Sequence, residues 1–432
     1  MQKILENNFF KVLLFFIFIH AGVLSMSQES YSRVNPKEME RNPQSLSGQI
    51  IKDGTLIDMK LANAVISNLT LQNVVIADTT FENITFEGCT FAKVDFGDVT
   101  LTNVLFKNCI FKEVGSTKNP DNITRFIGTA HDIMFDACEL RNIEFSFSAR
   151  QSGYILFKNI KVAYSVDKNG PFVSWAGANV RMDNCSIQSG IIGGGDGSSG
   201  IVRNSNFTHA SIYADKMFIF KSEFAGESNP GSKQLLVITD SELTGGALHV
   251  LGTCYALNNA YKFYKAEGID GATFIAGVGV SAKTPENKVY ITGIPGEHSL
   301  RIFGGDVEIR GLKLIEPIIS QLRFPNPIGA VHMKDVSIQG GVWRGLKLLG
   351  GRWENVRIEP PIVSDSASIK NVKAYRVEYP KGNPFTFQKG KKPEFDIQTV
   401  DKPFEWPEIV APTPEEHGLT WWPEVEPGYR PQ

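Results

Sequence analysis

Residues 51–111 read IKDGTLIDMK LANAVISNLT LQNVVIADTT FENITFEGCT FAKVDFGDVT LTNVLFKNCI F, and every fifth position is a large apolar residue. The series is Ile51, Leu56, Leu61, Ile66, Leu71, Ile76, Phe81, Phe86, Phe91, Phe96, Leu101, Phe106 and Phe111. A period of five matches neither the 3.6 of an amphipathic helix nor the 2 of a half-buried strand. It marks a chain that turns a corner every five residues and stacks on itself as a solenoid.

Two residues before each large position sits a smaller one, among them Met59, Ala64, Val74, Ile84, Cys89, Val94, Val104 and Cys109. Both positions are expected to point inward, the larger filling the centre and the smaller packing beside it. Two residues after each large position the chain favours Asn, Asp or Gly, which tolerate the left-handed conformation of a tight corner. Lys93 and Glu113 break that preference, and Val65, Val75, Leu105 and Ile110 break the polar preference just before the large position. On these residues the stretch 51–114 resembles the pentapeptide-repeat family. That resemblance implies a right-handed quadrilateral β-helix with four pentapeptides per coil. Residues twenty apart then stack, so that Asn63, Asn83 and Asn103 form one column and Asp58, Asp78 and Asp98 another. The carboxylate column is a set of turn residues or a cation-binding edge; Ca²⁺ would suit its oxygens, though no loop supplies the six or more that Ca²⁺ takes.

Beyond residue 115 the five-residue beat stops, but short apolar runs broken by Asn, Asp, Gly or Ser recur every 16 to 25 residues, as at FDACEL from Phe135, VRMDNCSI from Val180 and LVITDSEL from Leu236. Each run is rich in strand formers and bounded by turn residues. This part resembles the right-handed parallel β-helix, pectin-lyase-like superfamily in architecture. The predicted fold is therefore all-β: a parallel β-helix solenoid with quadrilateral coils first, longer coils after and almost no helix. About fifteen coils at about 4.8 Å give a rod of about 70 Å. The interval between Asn258 and Gly293 holds a further coil or an excursion loop. An open coil end is an unpaired sheet edge and needs a cap. The expected divisions are a signal segment at 1–27, a cap at 28–50, pentapeptide coils at 51–114, longer coils at 115–379 and a Pro/Trp-rich tail at 380–432.

Lys3 and Lys11 precede an apolar run from Val12, followed by Ser25 and Ser27, the pattern of a secretory signal. The expected place of work is the periplasm or the outside of the cell, with no membrane span once the signal is removed. Net charge is −2, so no bulk electrostatic pull draws the chain to nucleic acid. The five Cys form no CxxC. Cys89 and Cys109 are read as buried thiols acting as small hydrophobes, with a disulfide between adjacent coils as the alternative. The tail carries Trp406, Trp421 and Trp422 among its prolines. Such rings are costly to leave in water. They are expected either to pack back along the rod or to bind a partner protein or glycan.

Catalysis has weak support. A hydrolase needs paired carboxylates, and a lyase needs a base beside a group that neutralises the uronate. The signature segments of pectate lyases, polygalacturonases and alginate epimerases are absent. Seven His show no metal spacing. Arg301, Arg310, Arg323 and Lys334 are the candidates for a groove that accepts acidic sugar. The glycine-rich GIIGGGDGSSG from Gly190 lacks the Lys-Ser/Thr ending of a phosphate loop and reads as a lateral loop. Thr residues of the first coils fall on different sides and form no ice-binding ladder. The expected function is a secreted, non-enzymatic β-helix, a scaffold or binding rod that meets a polysaccharide or an envelope protein and needs no cofactor. The alternative is a lyase of acidic polysaccharide.

Overall fold

A computed structural model describes residues 36–112, 124–141, 143–149, 153–163, 172–176, 179–194, 196–226, 228–262, 264–267, 273–276, 278–282, 287–320, 329–344, 347–359, 362–365, 368–378, 385–387 and 394–429. Residues 1–27, expected as a signal segment, and Arg323 lie outside these residues. The chain is a parallel β-solenoid, consistent with the predicted right-handed parallel β-helix. Among the described residues no helix is long and apolar enough to cross a membrane.

In the first coils the register is twenty residues, as the sequence pattern requires: Ile51 lies opposite Leu71, Leu71 opposite Phe91 and Phe91 opposite Phe111. One inward column then continues from end to end of the rod. It runs Ile66, Phe86, Phe106, Phe135, Phe157, Met182, Val202, Ile219, Ile238, Ala256, Ile291, Ile309, Met333, Trp353 and Ala374, each in register with the next. All are buried. Four of its phenylalanines stack near-parallel, with centroids 5.1 Å apart at Phe86–Phe106, 4.9 Å at Phe106–Phe135 and 5.4 Å at Phe135–Phe157. Each buried side chain of this size stabilises the fold by about 1.5–3 kcal/mol, which explains why the coil can change length without losing this column.

The corners follow from backbone sterics. Asp58, Asn63, Asn73, Asp78, Asn83, Asp98 and Asn103 all have φ between 49° and 56°. Lys93, which departs in type, adopts the same conformation at φ 53°. The Asn side chains also bridge coils: Asn83 Nδ2 donates to Asn63 Oδ1 at 2.9 Å, and Asn103 Nδ2 to Asn83 Oδ1 at 2.8 Å. In the longer coils the left-handed corner persists at Ala137, Asn159, Asn184, Asn204, Lys221, Asp240, Asn258, Asp335 and Asn355. The residue that follows that corner is, coil by coil, Cys89, Cys109, Cys138, Ile160, Cys185, Ser205, Ser222, Ser241 and then Asn259. The five Cys are buried and free. The serine hydroxyls accept the backbone N–H of the coil before, as Ser222 Oγ does from Ser205 at 3.2 Å and Ser241 Oγ from Ser222 at 3.1 Å.

The N-terminal edge is capped. The helix Pro36–Arg41 and the 3₁₀ turn Pro43–Leu46 bury Met39 and Leu46 against the first coil. Glu40 Oε1 accepts the Lys60 N–H at 2.9 Å and Ser47 Oγ that of Ser67 at 3.0 Å, two edge donors that would otherwise be free to template aggregation. The long interval after Asn258 is an excursion: Tyr255 lies opposite Tyr290, and an antiparallel hairpin, Tyr264–Glu267 with Thr273–Ala276, is inserted between them. The glycine-rich segment corrects its reading as a loop. Ser186–Gly194 is a strand in register with Asn206–Tyr213, and the turn is confined to the residues before Ser199.

Candidate functional site

On one side of the rod the position just before the inward column points away from the core. Those residues are Thr85, Leu105, Met134, Leu156, Arg181, Ile201, Phe218, Val237, Tyr255, Tyr290, Glu308 and His332, again in continuous register. Outward positions of a solenoid should be solvated, yet Met134, Leu156, Arg181, Ile201, Phe218 and Val237 are buried. The C-terminal tail covers them.

The tail is an extended strap that runs back along this face from the last coils to the first. The stretch expected as tail from residue 380 still adds two strands to the solenoid, Phe385–Phe387 and Glu394–Thr399. From residue 400 prolines fix φ and remove donors, and the strap adds no further strand. Side chains of the rod hold it instead. Glu354 Oε2 accepts the Phe404 N–H at 2.8 Å and the Trp406 indole N–H at 3.0 Å. Arg310 and Arg352 lie over the Trp406 ring, at 5.2 and 4.8 Å from its centroid, and donate to the Pro407 and Glu405 carbonyls. Further along, Ala411, Leu419 and Trp421 pack on an outer apolar cluster of Ile201, Phe218, Leu235 and Val237. The Arg203 guanidinium lies 3.5 Å from the centroid of Trp421. Tyr154 Oη and Thr420 Oγ1 are 2.9 Å apart. Lys158 Nζ donates to Glu426 Oε1 at 3.0 Å, and this carboxylate raises the pKa of the ammonium. At the far end the Gly428 N–H donates to Asn103 Oδ1 at 2.8 Å, closing the top of the Asn ladder, and Thr85 Oγ1 donates to the Tyr429 carbonyl at 3.2 Å.

The three Trp predicted as binding residues therefore face the rod and are half-buried there. Of the predicted lyase residues, Arg310 and Lys334 are in register on adjacent coils. Arg310 is occupied by Glu308, which accepts from its Nε at 2.6 Å, and by the strap. Arg301 lies on a different side of the coil, in the strand Leu300–Ile302, opposite Gly279 and Ile318. Arg301 is therefore not in register with Arg310 and Lys334, and Arg323 lies outside the described residues. Asp58, Asp78 and Asp98 stand at left-handed corners, and the Asp58 and Asp78 N–H groups donate to the Ala77 and Gly97 carbonyls of the next coil. Among the described residues no group of three or more His, Cys, Asp or Glu is placed to hold a metal ion.

A second polar cluster lies beside Arg352, whose backbone N–H donates to His332 Nδ1 at 3.2 Å. His332 Nε2 is 3.2 Å from Asp306 Oδ1, and Lys288 also reaches that carboxylate. Burial pushes Asp306 up, but the hydrogen bonds from His332 and Lys288 outweigh it and hold the acid below its usual range. The covered face was legible in one signal: Leu105 with its neighbours Val104 and Phe106, and later the runs FIF from Phe218 and LVI from Leu236, are apolar at consecutive positions, as strands buried on both faces are.

No family model matches the chain, and no curated protein matches it. Among the solved structures that are similar in part are the following two. QnrB1, a plasmid-mediated fluoroquinolone resistance protein, is 10% identical over 38% of this chain and 77% of its own, with a TM-score of 0.14. The catalytic unit of the GH87 α-1,3-glucanase from Streptomyces thermodiastaticus strain HF3-3 is 12% identical over 88% of this chain and 70% of its own, with a TM-score of 0.20. At these TM-scores neither likeness bears on what the chain binds or does.

Proposed function

We propose that this chain is a secreted, non-enzymatic binding rod of the cell envelope or extracellular space, with coils of the pentapeptide-repeat type at its N-terminal end and a polysaccharide as its partner. The observation that carries this reading is the strap. The lateral face on which charged residues of distant coils would have to converge is filled by the protein's own tail. The charges there are engaged with it, as Glu354 is with Trp406 and Arg310 with Pro407. A rigid rod with half-buried Trp rings and Arg side chains along one side offers flat apolar and hydrogen-bonding surface for a sugar chain.

The test is electrophoresis of the purified protein through native gels cast with acidic and neutral polysaccharides, with and without Ca²⁺. Retarded migration without clearing supports the reading. A cleared zone overturns it in favour of a lyase or hydrolase. Unchanged migration in every gel overturns the polysaccharide as partner and leaves an envelope protein.

A further inference from the structure

The strap buries a charge that nothing described neutralises. Arg181 occupies an outward position, yet it is fully buried beneath Thr420. Its Nε donates to the Thr420 carbonyl at 2.8 Å and its Nη1 to the Val180 carbonyl at 2.9 Å. Its Nη2 has no partner. The nearest aromatic face is Tyr154, 5.4 Å from the guanidinium carbon. Among the described residues no carboxylate pairs with Arg181. Asp183, two residues on, is taken by Arg203 and by Asn204 Nδ2 at 2.9 Å. Glu426 is taken by Lys158 and by the Trp422 indole at 3.2 Å. Burial lowers the pKa of Arg181 to about 10, which leaves it a cation at neutral pH.

A guanidinium in a dry site without counter-charge is strongly unfavourable, so a fold that keeps one is expected to supply an anion. A second donor stands nearby. Arg203, on the next coil, has a buried Nε with no partner while its guanidinium lies on Trp421. Lys158 completes a cationic cluster from three successive coils, all of it in contact with strap residues 420–426. The side chains of Lys158 and Arg203 are 36% and 39% exposed, so the cluster opens to solvent on that flank.

We propose that rod and strap together form an oxyanion site, in which Arg181 Nη2 and Arg203 Nε donate to a carboxylate or sulfate group carried by an acidic polysaccharide. Guanidinium forks suit such oxyanions because their N–H groups match the oxygen geometry and stay charged. The glycan as source of the anion rests on the binding-rod reading above; the anion site itself does not.

The experiment is titration calorimetry of the full protein, and of its Arg181→Met and Arg203→Met variants, with sodium sulfate at constant ionic strength and with a uronic-acid oligosaccharide. Both probes are expected to bind the wild type, and Arg181→Met to weaken binding at least about tenfold. Arg181→Met is also expected to melt no lower than wild type, because removing an unpaired buried cation relieves strain. Arg203→Met, whose side chain is partly exposed, gives a second reading of the same site. Sulfate binding that depends on Arg181, with no binding of the oligosaccharide, keeps the site and overturns the glycan as its source. Oligosaccharide binding unchanged by both replacements keeps the binding rod and overturns the site. Failure of both probes to bind the wild type overturns the proposal as a whole.

Discussion

Gly428 is the residue at which the strap can be tested most sharply. Its φ is +115°, and a Cβ built there would lie 2.7 Å from Leu105 Cβ and 2.8 Å from Thr85 Oγ1. Leu105 Cβ is anchored to a strand of the rod, so it cannot yield; the strap must move outward by about 1 Å to reach ordinary contact distance. That movement gives up the Gly428 N–H bond to Asn103 and the Thr85 bond to Tyr429. Each bond is worth about 0.5–1.5 kcal/mol, and the left-handed backbone adds about 1–3 kcal/mol for a residue with a side chain. The sum, about 2–6 kcal/mol, exceeds what a single terminal turn is expected to contribute, so Gly428→Ala should detach the strap's end instead of straining the rod. Hydrogen-exchange mass spectrometry should show lost protection in the strap from Glu424 onward. The melting temperature of the solenoid should stay within about 2 °C of wild type, since its core column is untouched. Val425→Ala, at a side chain that is 75% exposed, is the silent control. Unchanged protection in Gly428→Ala would refute the docking of Gly428 on Leu105. A large fall in melting temperature would refute the strap's independence from the rod.

Other consequences follow from the coils themselves. Asn83→Ala removes both ladder bonds and places Ala in the left-handed region, a loss of about 2–3 kcal/mol by urea unfolding; Asn83→Gly should recover the backbone part, and equal losses in the two variants would sink this account. All five Cys are buried and free, and burial pushes Cys185 and Cys254 up to about 12, so a thiol reagent at pH 8 should label none in the native protein and all five after denaturation. Trp421→Ala uncovers the outer cluster of Ile201, Phe218, Leu235 and Val237, and binding of a hydrophobic dye should rise; an unchanged signal would mean that another part of the strap keeps the cluster dry. Asp306 has a folded pKa below its unfolded value of 3.8. Its contribution is therefore present above that value and is lost as pH falls through the lower folded one. Asp306→Asn should flatten the acid limb of the stability curve in that window, and an identical limb would count against the His332–Lys288 arrangement.

The period of five in 51–111 was enough to specify the inward column, the corners and the twenty-residue register, because a quadrilateral coil has one side-chain direction per pentapeptide. Asn63, Asn83 and Asn103 could be stacked on paper and stand so in the structure. The longer coils were legible as apolar runs broken by Asn or Asp, since their left-handed corner is chemically the same. The partners of the strap were not legible. Trp406 meets Glu354, and Trp421 meets Arg203, across separations in sequence that no local period encodes. Composition said that three Trp need cover and that a polar position held Leu105. Only the tertiary structure joined the two facts, because a proline-rich chain has no hydrogen-bond register of its own and takes its path from the surface on which it lies. The same fold decided that Arg181, an ordinary outward residue by its position in the strand, is a buried cation.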